Sequence, residues 1–271
     1  MASPPHDPLT WLRGLFAGWT PQVRALYRVG DEAGLPLRSV TEGDLRHELL
    51  GKGWLLPLPD ESAALSNLFE TEILDAVHVA LEGEDVTIRK GGSRSYPDFE
   101  IEGSFFGGGP HAIDIKCARH SGTSVDSTIA LYTGNTYFLF PDLLFPGMLR
   151  TFGEYDERIA IVILYRYRPD LLERFSDVRV AIQPVWRIAG MTKPSSTRHY
   201  IGSVNRVDDL VAGTGAFPTQ QAFYDYWRSA QRGWPVNAGV ATARKRAAAA
   251  SKAALAPPAA TRATRRPPKT T

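Results

Sequence analysis

A single cysteine, Cys117, occurs among the 271 residues, which excludes an internal disulfide framework and any Cys-rich zinc centre. It reads as a free buried thiol. The six histidines show no metal-ligand spacing. No run approaches the roughly 18 to 20 apolar residues needed to cross a bilayer. The first residues, Met-Ala-Ser-Pro-Pro-His-Asp, have neither the basic nor the apolar region of a secretory signal, so the expectation is a cytoplasmic protein with no membrane partner. Acid is missing from one end of the chain. From Tyr226 onward there is no Asp or Glu, while residues 236–271 hold eight of the 31 Lys and Arg, leaving 23 basic against 29 acidic residues before them. That Ala/Pro-rich tail (Arg244, Lys245, Arg246, then Arg262, Arg265, Arg266 and Lys269) has no apolar face to pack and reads as disordered. It either attracts a polyanion or merely solubilises.

With 43% hydrophobic and 10% aromatic residues the rest can bury a sizeable core. Leu9 to Trp19 and Val23 to Tyr27 have helical apolar spacing, and Thr41 to Asp44 resembles a helix start before Leu45 to Leu50, with His47 on its surface. Leu65, Leu68, Phe69, Ile73, Val77 and Leu81 recur at spacings of three and four, predicting an amphipathic helix from Ser62 to Leu81. Its carboxylates Glu70, Glu72 and Asp75 belong by default to the solvated face. Val86 to Arg89 predicts a short strand, followed by a basic loop from Lys90 to Ser95 placed to meet phosphate. Ile159 to Tyr165 predicts a strand buried on both faces. Thr128 to Tyr132 and Val178 to Ala189 are further strand candidates. The polar stretch from Gly190 to Tyr200, which includes Lys193, suits base-edge contacts, and Pro218 to Arg232 predicts a helix capped near Thr219.

Chemistry concentrates between Tyr96 and Lys116. On a strand, alternate residues share a face, so Asp114 and Lys116 project together while Ile113 and Ile115 project opposite. Phe99, Ile101 and Gly103 alternate in the same way with Asp98, Glu100 and Glu102. Gly107-Gly108-Gly109 precedes no helix and reads as a hairpin turn that brings His111 to Cys117 antiparallel to Pro97 to Gly103, and Asp114 near Asp98. Two carboxylates and a lysine then converge, a minimal apparatus for holding Mg²⁺ against a phosphate. An acidic-x-Lys triplet arises by chance roughly once or twice in such a length. Of the seven lysines here, however, only Lys116 has an acid two positions before it.

These residues, taken with their order, resemble type II restriction endonucleases of the PD-(D/E)xK superfamily, and within it the EcoRV branch. The resemblance runs through Pro57-Leu58, Leu65 to Glu70, Tyr96-Pro97-Asp98-Phe99, Ala112 to Lys116, Trp186 to Gly190, Ile201-Gly202-Ser203 and Phe223 to Arg228. It implies an α/β fold with a mixed central sheet flanked by helices. The resemblance covers roughly 57–232, within an endonuclease domain over 57–235; outside it the residues themselves suggest an N-terminal helical elaboration over 1–56 and the basic tail over 236–271. Asp98 and Asp114 become Mg²⁺ ligands, Glu70 an auxiliary metal-side carboxylate, and Lys116 the group that orients or activates the attacking water and stabilises charge on phosphorus. The resemblance places a minor-groove loop at Lys90, Ser93, Arg94 and Ser95, and a sequence-reading loop that follows Lys193 with Ser195, Ser196, Thr197, Arg198, His199 and Tyr200. In the relatives that loop is rich in Gly, Asn and Thr and reads an AT-centred site; Arg198 here favours guanine. The implied activity is a double-strand cut in duplex DNA at a palindromic, G·C-containing site, leaving blunt ends. It would be made by a homodimer partnered in the cell by a cognate DNA methyltransferase. A repair or junction nuclease on the same core, and a DNA-binding relative without catalysis, are the alternatives.

Overall fold

Residues 157–167 are apolar on both faces through most of their length, and a strand of that kind has to be covered on both. The computed structural model describes residues 5–21, 62–92, 95–132, 136–171, 174–191, 200–229 and 245, and places this run next to the middle of a five-stranded sheet. In chain order the elements are α1 (Pro8–Leu15), α2 (Ser62–Ala80), β1 (Thr87–Lys90), β2 (Phe99–Glu102), β3 (His111–Arg119), β4 (Ala130–Tyr132), α3 (Thr136–Leu139), β5 (Glu157–Tyr167), β6 (Phe175–Pro184), β7 (Ile201–Gly202), α4 (Val207–Ala212) and α5 (Gln220–Ser229). The sheet runs β1-β2-β3-β5-β6, with β3 and β5 parallel and the other neighbours antiparallel. β4 and β7 form a separate antiparallel pair. The result is the mixed, helix-flanked α/β sheet expected from the sequence.

Strand parity sorts the core into two layers. On one side Leu65, Phe69, Ile73 and Val77 of α2 pack against Ile113 and Ile115 of β3 and Ile159, Ile161 and Ile163 of β5. Leu12 and Phe16 from α1 and the turn after it join the same layer. On the other side Ala160, Val162 and Leu164 meet an aromatic group that includes Tyr132, Phe138, Phe152, Phe223 and Trp227. No helix among the described residues is long and apolar enough to cross a membrane.

Several boundaries differ from the sequence reading, each for a local reason. The expected strand to Ala189 stops at Pro184, which has no N–H to continue a ladder, and Val185–Arg187 turn as a 3-10 helix. The antiparallel return between β2 and β3 is present but is no tight hairpin. Ser104–Phe106 form a 3-10 turn, burying Phe106, before Gly107 and Gly108 take φ of 88° and 94°. Gly103 lies so close to the backbone at Asp85 and Val86 that any Cβ would collide with it. β1 begins one residue later than expected. Cys117 is free but half-buried, and burial pushes its thiol up to about 12. α5 begins as anticipated, with Thr219 Oγ1 accepting the Ala222 N–H at 3.1 Å. The helical segments expected within 22–56, His47 among them, lie outside the described residues. So do Ser93, Arg94 and the loop from Lys193 to His199, together with the basic tail apart from Lys245.

Candidate active site

β3 holds Asp114 and Lys116 on one face while Ile113 and Ile115 are committed to the α2 layer. The β2–β3 register pairs Phe99 with Ile113 and Glu100 with Ala112. Continued by one residue, it sets Asp98 across from Asp114. Asp98 is further fixed because its Oδ2 accepts the Ile115 backbone N–H at 2.6 Å. Lys116 Nζ then lies 2.6 Å from Asp114 Oδ2 and 3.9 Å from Asp98 Oδ2, and donates to the Ile115 carbonyl at 3.3 Å. The three residues singled out in the sequence converge.

Exposure divides them: the Asp114 side chain is 6% exposed, against 22% for Asp98 and 25% for Lys116. Burial pushes the Asp114 carboxyl up to about 7, the Asp98 charge adding to the effect and Lys116 opposing it. Burial works against the Lys116 ammonium, but Asp114 and Asp98 outweigh it and hold its pKa above the usual value. Between the unfolded carboxyl value near 4 and about 7 the folded state binds the extra proton, so this group's contribution to stability is present at low pH and lost as pH rises to about 7. Thermal melting of the metal-free protein is expected to fall across that window, and the Asp114→Asn variant is expected to lose that component of the slope.

Glu70, on α2, is half-buried. Burial and the Asp98 charge raise its pKa, while Lys90 and Lys116 oppose the shift, so it lies within electrostatic reach of the cluster. Among the described residues no three of His, Cys, Asp and Glu gather closely enough to hold a metal. Glu70 is thus coupled to the pair electrostatically, without forming a three-ligand group with it. The pair itself fits a hard dication, because Mg²⁺ keeps several waters and asks for only one or two carboxylates. Both carboxylates are already directed at a single cationic group.

The cluster opens into a cleft of about 500 Å³ whose lining includes Asp114, Lys116, Ser95, Ser127, Thr128 and Tyr137. Ser127 and Thr128 were not legible as site residues, since a Ser-Thr pair ahead of a strand carries no spacing signature. Tyr96, which also lines the cleft, anchors the turn that presents Asp98. Its N–H donates to Gly147 O at 2.7 Å, its carbonyl accepts from Leu149 at 3.2 Å, and its ring packs against both Tyr137 and Phe152, at 6.2 and 6.3 Å between centroids.

Glu100, which alternation sets on the polar face of its strand with Asp98 and Glu102, does not meet solvent there. It is fully buried, accepting hydrogen bonds from Arg150 Nε at 3.0 Å and Tyr155 OH at 2.9 Å and forming an ion pair with Arg89 Nε at 2.9 Å. Arg150 also pairs with Glu102. This clamp ties residues 147–150 to β2 and so braces the Asp98 turn. Burial raises the Glu100 pKa, with Tyr155 and Arg89 pulling it down.

Of the expected DNA-contacting residues, Lys90 is exposed at the end of β1, Ser95 lies in the cleft, and Tyr200 is half-buried just before β7. Ser93, Arg94, Lys193, Ser195, Ser196, Thr197, Arg198 and His199 lie outside the described residues.

Residues 44–233 match the family described as restriction endonuclease EcoRV. The type II restriction enzyme EcoRV of Escherichia coli is 24% identical over 200 residues, covering 67% of this chain and 80% of that enzyme.

Proposed function

Since the chain belongs to the EcoRV restriction endonuclease family, and is thereby a type II site-specific deoxyribonuclease acting on DNA, we propose that Asp98, Asp114 and Lys116 form its catalytic centre, with Glu70 as an auxiliary carboxylate. The observation that carries this reading is the convergence of both carboxylates on Lys116, which together with Asp114 lines the cleft. Asp98 and Asp114 would hold Mg²⁺. When bound, that ion supplies positive charge against the phosphate and acidifies water. Lys116 orients the attacking water and offsets charge building on phosphorus, and the 3′-oxygen leaves. The Asp98–Ile115 hydrogen bond and the Tyr96 anchor keep the first carboxylate in register with the second.

The finer reading is a homodimer cutting both strands of a palindromic, G·C-containing site to blunt ends, with a cognate methyltransferase protecting host DNA. A twofold dimer reads its own half-site twice, which favours a palindrome. Lys193, Ser195, Ser196, Thr197, Arg198, His199 and Tyr200 read bases in the major groove. Arg198, through the O6 and N7 of guanine, supports the G·C expectation. Lys90, Ser93, Arg94 and Ser95 follow the minor groove.

Digesting a sequenced phage genome with Mg²⁺ and sequencing the fragment ends tests site, symmetry and end geometry together. Blunt ends sharing one palindrome are expected. Random ends count against a restriction enzyme, and intact DNA throughout favours a relative that binds without cutting.

A further inference from the structure

The Lys116 ammonium lies 2.6 Å from one candidate metal ligand and 3.9 Å from the other, so its charge sits within a few ångströms of any dication that either would hold. We infer that Lys116 has a second task in the DNA-free protein: it is the resident cation of the Asp98–Asp114 pair, and it keeps divalent metal weakly bound until a DNA phosphate draws it away. This rests on the proposed assignment of Asp98 and Asp114 as the metal carboxylates.

Charge and reach support it. Asp114 is nearly sealed, so its charge is costly without a cation, and Lys116 is the group that meets this need directly. The neighbouring charges are Glu70 and Lys90, which act on the cluster at longer range. A dication entering with Lys116 in place would face an ammonium only a few ångströms away, a repulsion that falls slowly at protein dielectric. The lysine has somewhere to go. Its side chain is 25% exposed, it borders the open cleft beside Ser127 and Thr128, and its four-carbon stem turns freely. A backbone phosphate in that cleft offers an anionic partner to replace the carboxylates. The residue that assists chemistry on DNA thus also opposes metal loading before DNA arrives, giving a binding order of DNA first and metal second.

The test uses full-length protein without DNA, titrated with Mn²⁺ and followed by the electron paramagnetic resonance signal of free Mn²⁺. Each protein is titrated over a pH series and compared where its affinity no longer rises with pH, because removing Lys116 takes away the charge that opposes protonation of Asp114. Lys116→Met is expected to bind Mn²⁺ about tenfold more tightly than the parent or better, and Lys116→Gln to do the same, each with a cooperative thermal melt. Adding Asp114→Asn to either variant is expected to abolish the gain, which localises it. Mn²⁺ binding by the folded Lys116 variants that is no tighter than the parent's, including no binding by either, overturns the inference. A gain that survives Asp114→Asn does so as well. These readings are taken without DNA, so they stand apart from the cleavage experiments. A parent that cuts DNA while Lys116→Met shows no gain sinks this inference alone, and a parent that never cuts sinks the catalytic reading.

Discussion

Phe69→Ala is expected to lower the stability of the fold by about 3–5 kcal/mol, measured as a shift in the urea unfolding midpoint. Phe69 is fully buried on α2, with its ring edge-on to Tyr165 at 5.5 Å and to Phe175 at 5.2 Å between centroids. Leu65 and Ile73, one turn before and after on the same stripe, are equally buried, so the helix has little freedom to close the hole. Truncation therefore costs both the transfer of the ring and the cavity it leaves. The effect reaches the site, because Glu70 is the next residue and its position depends on how α2 lies on the sheet. A loss below about 1 kcal/mol would contradict the packing of α2 described above.

What could be read from the sequence was whatever follows from periodicity. The three-four spacing of Leu65, Phe69, Ile73 and Val77 predicted α2, and the alternation from Ile113 to Lys116 predicted which side chains would share a face. The approach of Asp98 to Asp114 needed one more element, an antiparallel return, and the glycines at 107–109 suggested it although the turn has a different form. Glu100 was illegible for a physical reason. Alternation says that a polar residue faces away from the apolar layer, but not whether that second face is wet. Its burial depends on Arg150 and Tyr155, distant in sequence and brought in by tertiary packing alone. The same holds for Arg13 of α1, which donates to Ile182 O at 3.0 Å and to Gln183 Oε1 at 2.6 Å on β6. Nothing in the N-terminal pattern named that partner. The cleft wall at Ser127 and Thr128 likewise exists only once β4 and its approach are folded over Lys116.

Burial of Asp114 and exposure of Lys116 divide the labour within the cluster. On the proposed reading, the nearly sealed carboxylate fixes the position of positive charge and the lysine, which lines the cleft, meets substrate. Glu100 and its arginines make the support rigid without touching the cleft lining, so the Asp98 turn is held from behind.

The most direct test of this centre is the single-turnover rate of Mg²⁺-dependent cleavage of one duplex carrying the enzyme's site, compared among the parent, Asp98→Ala and Asp114→Ala. Metal charge stabilisation is worth several kcal/mol in the transition state, and each 1.36 kcal/mol is a factor of ten, so each variant is expected to be slower by about 10³-fold or more. A cooperative melt, and duplex binding retained without metal, would show that the loss is chemical. A folded Asp98→Ala or Asp114→Ala protein that cuts the same duplex at the parental rate would contradict the assignment of Asp98, Asp114 and Lys116 as the residues that cut.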